Sequence, residues 1–345
     1  MQSNLYCVIV AGGRGERLWP YSTSERPKQL IPFLSNKSLL EQTVDRCTLL
    51  TEHIWVVTTA EHAKPIQNIV GSTIEQILIE PVLRNTAPAV LYACLAIHRQ
   101  DPCAQVVILP ADHHIPDVVA CTKSLQNALR FTATSDALCL LGKKPKHAAT
   151  SYGYIEISEQ PSQKITNIFP VQRFHEKPDA ARAQHYVLDG NLYWNLGMVV
   201  GKVSSFLAEG RRHASQIVEL LERYHETSDP LLYAQLPVIS FDHAVLEHST
   251  AIALLPIYFE WHDVGTIETF MKMKQQAQAT SSVIEYEAHG NLVDVSHKKV
   301  FLAGVHDLCV IEIDDLLVIM PKGTSATTSF SELFYESAKS VKEHA

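Results

Sequence analysis

Cysteine pairing is what this 345-residue sequence lacks first: its seven cysteines stand singly, no C-x-x-C occurs, and the total is odd. That pattern excludes a disulfide framework, offers no zinc-ligand spacing, and makes a reducing cytoplasm the expected location. Runs of like charge are missing too. Thirty-seven acidic and 29 basic residues are mixed along the chain for a formal net charge of -8. No polybasic arm is offered to nucleic acid or to an anionic membrane, and neither is expected as a partner. The N-terminal apolar run Leu5–Ala11 has no basic segment before it and is far too short to span a bilayer, so no leader or anchor is expected. Two common nucleotide motifs are absent as well. The third glycine of G-x-G-x-x-G would fall at Leu18, and no G-K-[ST] follows the glycine-rich stretch. A nicotinamide-dependent oxidoreductase and a Walker A protein are both weakened as readings.

What is present is 46% hydrophobic content, enough for a substantial core. Short apolar runs (Leu5–Ala11, Ile54–Thr58, Val106–Leu109, Ala137–Leu141) alternate with loops and helix-like stretches such as Ala87–Arg99 and Ile217–Tyr224. This rhythm predicts α/β architecture with a doubly wound, mostly parallel, Rossmann-like sheet over residues 1–275. After the polar stretch Lys274–Ser282 the pattern changes to short β-like runs at Asn291–Val295, Val300–Ala303, Leu308–Ile313 and Leu316–Met320. They predict a small C-terminal β unit over 285–345, with a short left-handed β-helix as one form of it and a weak terminal helix at Ser331–His344.

The first apolar run leads into Gly12, Gly13 and Gly15, followed by Arg17. Glycines where a strand leaves a sheet let backbone N–H groups approach an anion, and Arg17 and Lys28 could add cationic donors for a triphosphate. A tight turn with no ligand explains the glycines alone about as well. Asp112 follows the strand-like Val106–Leu109, and Asp263 follows the apolar run Ala251–Phe259. Two such carboxylates suit Mg²⁺, which binds through one or two carboxylates plus phosphate oxygens. Each by itself also fits a turn or a helix cap. His113 and His114 are read as loop residues and not ligands, because Mg²⁺ prefers oxygen.

Further along, Glu176-Lys177-Pro178 ends a short strand with an acid–base pair, while Gly153 and Asn195 lie in aromatic–glycine clusters that also occur as plain sheet packing. Glu80, Arg84, Asn85 and Thr86 bridge a strand-like run and the Ala87 helix. Guanine presents N1–H and N2–H₂ side by side, and a carboxylate can accept from both, so Glu80 is the candidate base reader. The plainer alternative has Arg84, Asn85 and Thr86 capping the helix and Glu80 paired with Arg84.

Taken in order, G-G-x-G-x-R-L-W-P, P-K-Q, E-P-x-x-R-N-T-A-P-A, P-x-D-H, Y-G-Y, E-K-P, W-N-x-G-M and D-V-G resemble the sugar-phosphate nucleotidyltransferases, in the mannose-1-phosphate guanylyltransferase branch. Ser151 and Leu196 depart from that branch's T-G-Y-G-Y and W-N-S-G-M. The resemblance implies that GTP and mannose 1-phosphate are the substrates. Gly12, Gly13, Gly15, Glu80, Arg84, Asn85 and Thr86 would bind nucleotide, and Arg17 and Lys28 would meet the departing pyrophosphate. Asp112 and Asp263 would hold Mg²⁺, Lys177 the sugar phosphate, and Gly153, Glu176 and Asn195 the sugar. A homo-oligomer, as a dimer, is expected, and the isomerase domain that some members carry is not. A guanylyltransferase for another sugar, or a silent nucleotide-sugar-binding homologue, is the alternative reading.

Overall fold

The computed structural model describes residues 4–13, 15–23, 25–158, 167–277, 283–296 and 298–324. In chain order the strands are β1 (Leu5–Val10), β2 (His53–Thr59), β3 (Gln76–Glu80), β4 (Gln105–Pro110), β5 (His113–His114), β6 (Leu138–Lys143), β7 (Tyr154–Ile157), β8 (Phe169–His175), β9 (Leu192–Lys202), β10 (Ile252–Ile257), β11 (His262–Asp263), β12 (Val283–Tyr286), β13 (Leu292–Asp294), β14 (Val300–Ala303), β15 (Leu308–Ile313) and β16 (Leu316–Pro321). The helices are α1 (Leu39–Thr48), α2 (Ala60–Val70), α3 (Thr86–Gln100), α4 (Val118–Thr134), α5 (Ala180–Leu188), α6 (Val203–His213), α7 (Ser215–Thr227), α8 (Pro230–Ala234) and α9 (Ile267–Ala277).

The chain divides into two compact units. The first comprises Met1–Gly12, Thr43–Ala111 and Ile115–Trp261. It is built on a nine-stranded sheet in the order β3-β2-β1-β4-β9-β6-β10-β8-β7. The four apolar runs read from the sequence become β1, β2, β4 and β6. Strands covered on both faces need apolar residues at every position, which is why they show no alternation. β1 lies parallel to both β2 and β4, with Ile9 opposite Val56 on one side and Leu109 on the other. Each fully buried Val, Leu or Ile in this core contributes about 1.5–3 kcal/mol relative to exposure.

The expected mostly parallel sheet needs correction, because the sheet is mixed. β9 enters antiparallel between β4 and β6, and β8 and β7 add antiparallel pairings beyond β10. Eleven residues long and mostly buried, β9 has the composition of any core strand, and its direction follows from the connections around it. α3 covers the sheet with Ala89, Ala93 and Ala96 among its buried residues, and Asn85 caps its start by accepting from the Thr86 N–H.

The second unit comprises Gly13–Gln42, Asp112–His114 and His262–Ala345. Its core joins Leu18, Tyr21, Ile31 and Phe33 to Phe270 and Met271 of α9 and to Leu292, Cys309 and Ile311 of the C-terminal strands. β12 pairs with β14 in parallel, β13 likewise with β15, and β15 turns back into β16 as an antiparallel hairpin. The left-handed β-helix is not confirmed by these pairings. The strand-like runs after residue 290 do appear, and the terminal helix expected at 331–344 lies outside the described residues. Among the described residues no helix is long and apolar enough to cross a membrane.

Candidate active site

In the second unit the glycine-rich loop is held by its own neighbours. Gly15 has φ +67°, and a Cβ there would lie 2.4 Å from Cβ of Lys28, so only glycine allows the two segments to close up. Ser22 Oγ donates to the Gly15 carbonyl at 2.6 Å and Gln29 Nε2 to the Gly13 carbonyl at 3.1 Å. These contacts fix Lys28 with its side chain 7% exposed. Its Nζ donates to Asp112 Oδ2 at 2.7 Å and to Asp263 Oδ1 at 3.1 Å.

The two aspartates are brought side by side by a ladder of two residue pairs, β5 against β11. His113 stands opposite Asp263, and Asp112 is the residue before it. Burial would push the Asp112 carboxyl up, but the Lys28 ammonium and, after it, His113 bring it down to about 2. The same balance acts on Lys28, where burial lowers the affinity for a proton and the two carboxylates more than restore it. Asp112 and Asp263 therefore converge as two anionic oxygen donors on one cation, the place being filled by the lysine ammonium. That donor set fits a hard divalent ion, with water and phosphate oxygens completing its shell. Among the described residues no three His, Cys, Asp or Glu side chains group together for a metal. His114 Nδ1 is engaged with Gln42 Oε1 at 3.0 Å.

Arg17 is exposed on the short turn Glu16–Leu18, outside the Lys28 cluster, and makes no ion pair among the described residues.

In the first unit, Gly153, Glu176 and Asn195 each adjoin one register triple: Tyr154 of β7 stands opposite His175 of β8 and Trp194 of β9. A Cβ on Gly153 would lie 2.8 Å from Glu176 Oε2, so the glycine leaves room for that carboxylate. Lys177, at φ 41°, pairs with Glu176 at 2.8 Å and keeps its side chain 59% exposed. The Asn195 N–H donates to the Gly153 carbonyl, and its Oδ1 accepts from the Gly197 N–H at 3.1 Å. Asn195 Nδ2 donates to Asp242 Oδ1 at 2.6 Å. Burial, and then the nearby Glu176 charge, push the Asp242 carboxyl up to about 6, against the pull of Lys177 and Asn195. Asp242 belongs to none of the sequence motifs, and its one signal is an acid set beside an apolar stretch. Tyr152 completes this side, its ring edge-on to Trp194 and Trp261.

Glu80 closes β3 and is 1% exposed. Its partner is the Tyr233 hydroxyl at 2.8 Å and not Arg84, which donates to the Ala234 carbonyl. Burial raises the Glu80 carboxyl to about 7, although the tyrosine bond opposes the shift. Gly12 faces the other carboxylate oxygen, since a Cβ there would lie 3.1 Å from Oε2. Asn85 and Thr86 serve local structure: Asn85 caps α3, and Thr86 Oγ1 accepts from the Phe241 N–H at 2.8 Å.

Comparison with known proteins identifies the family. The sequence matches the nucleotidyl transferase family over residues 6–280. It is 32% identical to the mannose-1-phosphate guanylyltransferase of Salmonella muenchen, with 93% of this chain and 71% of that protein covered. The alginate biosynthesis protein AlgA of Pseudomonas aeruginosa is also 32% identical, covering 91% of this chain and 69% of that one. A crystal structure from Thermus thermophilus, described as a "mannose-1-phosphate geranyltransferase", superposes with a TM-score of 0.82 at 28% identity over 98% of this chain and 99% of that one. On these matches the chain belongs to the nucleotidyl transferase family, as a relative of the mannose-1-phosphate guanylyltransferases.

Proposed function

We propose that the chain is a mannose-1-phosphate guanylyltransferase, converting GTP and α-D-mannose 1-phosphate to GDP-mannose and diphosphate. The observation that carries this is the convergence of Asp112 and Asp263 on Lys28, within 3.1 Å. It is the arrangement a polyphosphate needs, with anionic oxygens for a metal and a buried cation beside them.

A phosphate oxygen of the sugar phosphate attacks the α-phosphorus of GTP in line. The bond from that phosphorus to the α–β bridging oxygen breaks, and diphosphate departs with the electron pair. Lys177, exposed beside Glu176, meets the sugar phosphate and orients it. Glu176 and Asn195 accept and donate hydrogen bonds to sugar hydroxyls, and Glu80 accepts from N1–H and N2–H₂ of guanine. The backbone N–H groups of Gly12, Gly13 and Gly15 and the cations Arg17 and Lys28 stabilise charge developing on the diphosphate. Asp112 and Asp263 would hold Mg²⁺, which when bound supplies positive charge to the phosphates.

A matrix of four nucleoside triphosphates against mannose, glucose, fucose and heptose 1-phosphates, read by diphosphate release, tests the assignment. GTP with mannose 1-phosphate should give the highest kcat/KM. A higher value for another sugar would retain nucleotidyl transfer and remove mannose, and silence in every cell would remove the enzyme.

A further inference from the structure

Glu80 is backed by a wall that no sequence motif announces. The Tyr233 side chain is fully buried on α8, and its ring packs edge-on against Tyr92 of α3 at 5.9 Å and Tyr224 of α7 at 5.0 Å. The segment that follows is tied to the segment that follows Glu80 at four points. Arg84 donates to the Ala234 carbonyl, the Ile239 N–H to the Arg84 carbonyl at 3.3 Å, the Ala87 N–H to the Ile239 carbonyl at 3.1 Å, and the Phe241 N–H to Thr86 Oγ1 at 2.8 Å. Two stretches some 150 residues apart are therefore tied together, with the bond between Tyr233 and Glu80, 153 residues apart in sequence, inside that piece.

We infer that Tyr233 is a positioning residue for base selection, its hydroxyl orienting the Glu80 carboxylate so that both oxygens accept from the paired N–H groups of guanine. This rests on the reading of Glu80 as the base contact. A carboxyl group rotates easily about its last torsion, and it discriminates bases only if it is both ionised and held. One lone pair of Oε1 takes the phenol proton, leaving another for the base, while Oε2 lies beside Gly12. The phenol also favours the ionised form, against a burial that pushes Glu80 up to about 7. The titratable groups around it are the three phenols. Burial, and then the Glu80 charge, lift Tyr233 far above its ordinary range, while Tyr92 is raised to about 12 by burial and its neighbour Tyr224. None of them titrates near neutrality, so among the groups packed around the base contact only Glu80 gives an acid limb, and a limb that moves with the phenol at 233 is its own and not that of Asp242 beside Asn195.

The test uses the full chain as wild type, Tyr233→Phe and Glu80→Gln, with GTP, ITP (which lacks the N2 amino group) and ATP against mannose 1-phosphate across pH 5.5 to 9. Tyr233→Phe should raise KM for GTP roughly tenfold, the effect of losing a hydrogen bond to a charged group. It should also shrink the GTP-to-ITP preference, leave KM for mannose 1-phosphate in place, and move the acid limb of kcat/KM for GTP upward. Site-specific 3-fluorotyrosine at 233, a more acidic phenol of nearly the same shape, should move that limb downward and remains informative if Tyr233→Phe folds poorly. If Glu80→Gln changes GTP-over-ATP preference but neither substitution at 233 moves the limb or KM for GTP, Tyr233 is structural only and the inference falls alone. If Glu80→Gln leaves GTP-over-ATP preference intact, the base assignment falls and takes the inference with it.

Discussion

Lys28 and Asp112 are 84 residues apart in sequence, yet Nζ and Oδ2 lie 2.7 Å apart. The lysine neutralises two carboxylates that would otherwise repel each other across the β5·β11 ladder. Its loss should show in stability before it shows in chemistry.

The Asp112 carboxyl sits at about 2 in the fold and near 3.8 when free. A depressed acid stabilises above its unfolded value and loses that stability as pH falls through its folded one. Wild type should therefore lose stability between about pH 4 and pH 2. The share due to this pair is on the order of 1 kcal/mol once solvent screening of the partly exposed aspartate is allowed for. Lys28→Met should be less stable at pH 7 and lack that share of the acid-limb decline, as read by urea unfolding at a series of pH values. Parallel curves for the two proteins would contradict the account.

Glu80 carries the opposite sign. Its folded value of about 7 lies above the ordinary 4.5, so the folded state holds a proton that the unfolded chain has released. Stability is lost as pH rises from about 4.5 to about 7. Glu80→Gln should thus be more stable than wild type at pH 8, by roughly 1–3 kcal/mol, with the difference fading by pH 4.5. The same substitution should erode guanine preference, because an amide presents a donor as well as an acceptor. Thermal melts at both pH values, beside kcat/KM for GTP and ATP, check both halves.

Lys177 is exposed, and its pair with Glu176 should add at most about 1 kcal/mol to stability. Lys177→Ala should leave the melting temperature almost unchanged. It should raise KM for mannose 1-phosphate about 10- to 100-fold, the range for losing a charge-assisted bond, with KM for GTP little altered. Unchanged kinetics would take Lys177 out of the site.

Gly15→Ala meets both a left-handed φ of +67° and a backbone neighbour in Lys28. The loop must open to admit the methyl group. We expect a cost of about 1–3 kcal/mol together with weaker triphosphate binding, whereas Gly13→Ala, with open space around its Cβ position, should be milder at the side-chain level. Equal effects of the two substitutions on melting temperature would contradict this packing.

Much of the first unit was legible because buried parallel strands announce themselves as apolar runs, as β1, β2, β4 and β6 did. The direction of β9 was not, since strand order depends on pairings between distant segments that no local pattern encodes. The Lys28, Asp112 and Asp263 cluster could be named from motifs, but its closure depends on a ladder of two residue pairs, too short to leave a periodic signal. Gly153, Glu176 and Asn195 were readable for the same reason. Asp242, bonded to Asn195 and close to the Glu176 charge, was not, because it belongs to no motif and gains its meaning from burial beside Asn195. Tyr233 is the same case: a tyrosine on a five-residue helix reads as packing until Glu80 is found behind its hydroxyl. Arg84 was expected beside Glu80 on one reading, and it reaches a carbonyl instead.

The central claim is that Asp112 and Asp263 serve nucleotidyl transfer from GTP to mannose 1-phosphate, and Asp263→Asn tests it most directly. Diphosphate release should be followed for wild type and variant with Mg²⁺, alongside their melting temperatures. The account predicts a fall in kcat of about a hundredfold or more with the melting temperature little changed. Near-normal turnover in a folded Asp263→Asn protein would contradict it.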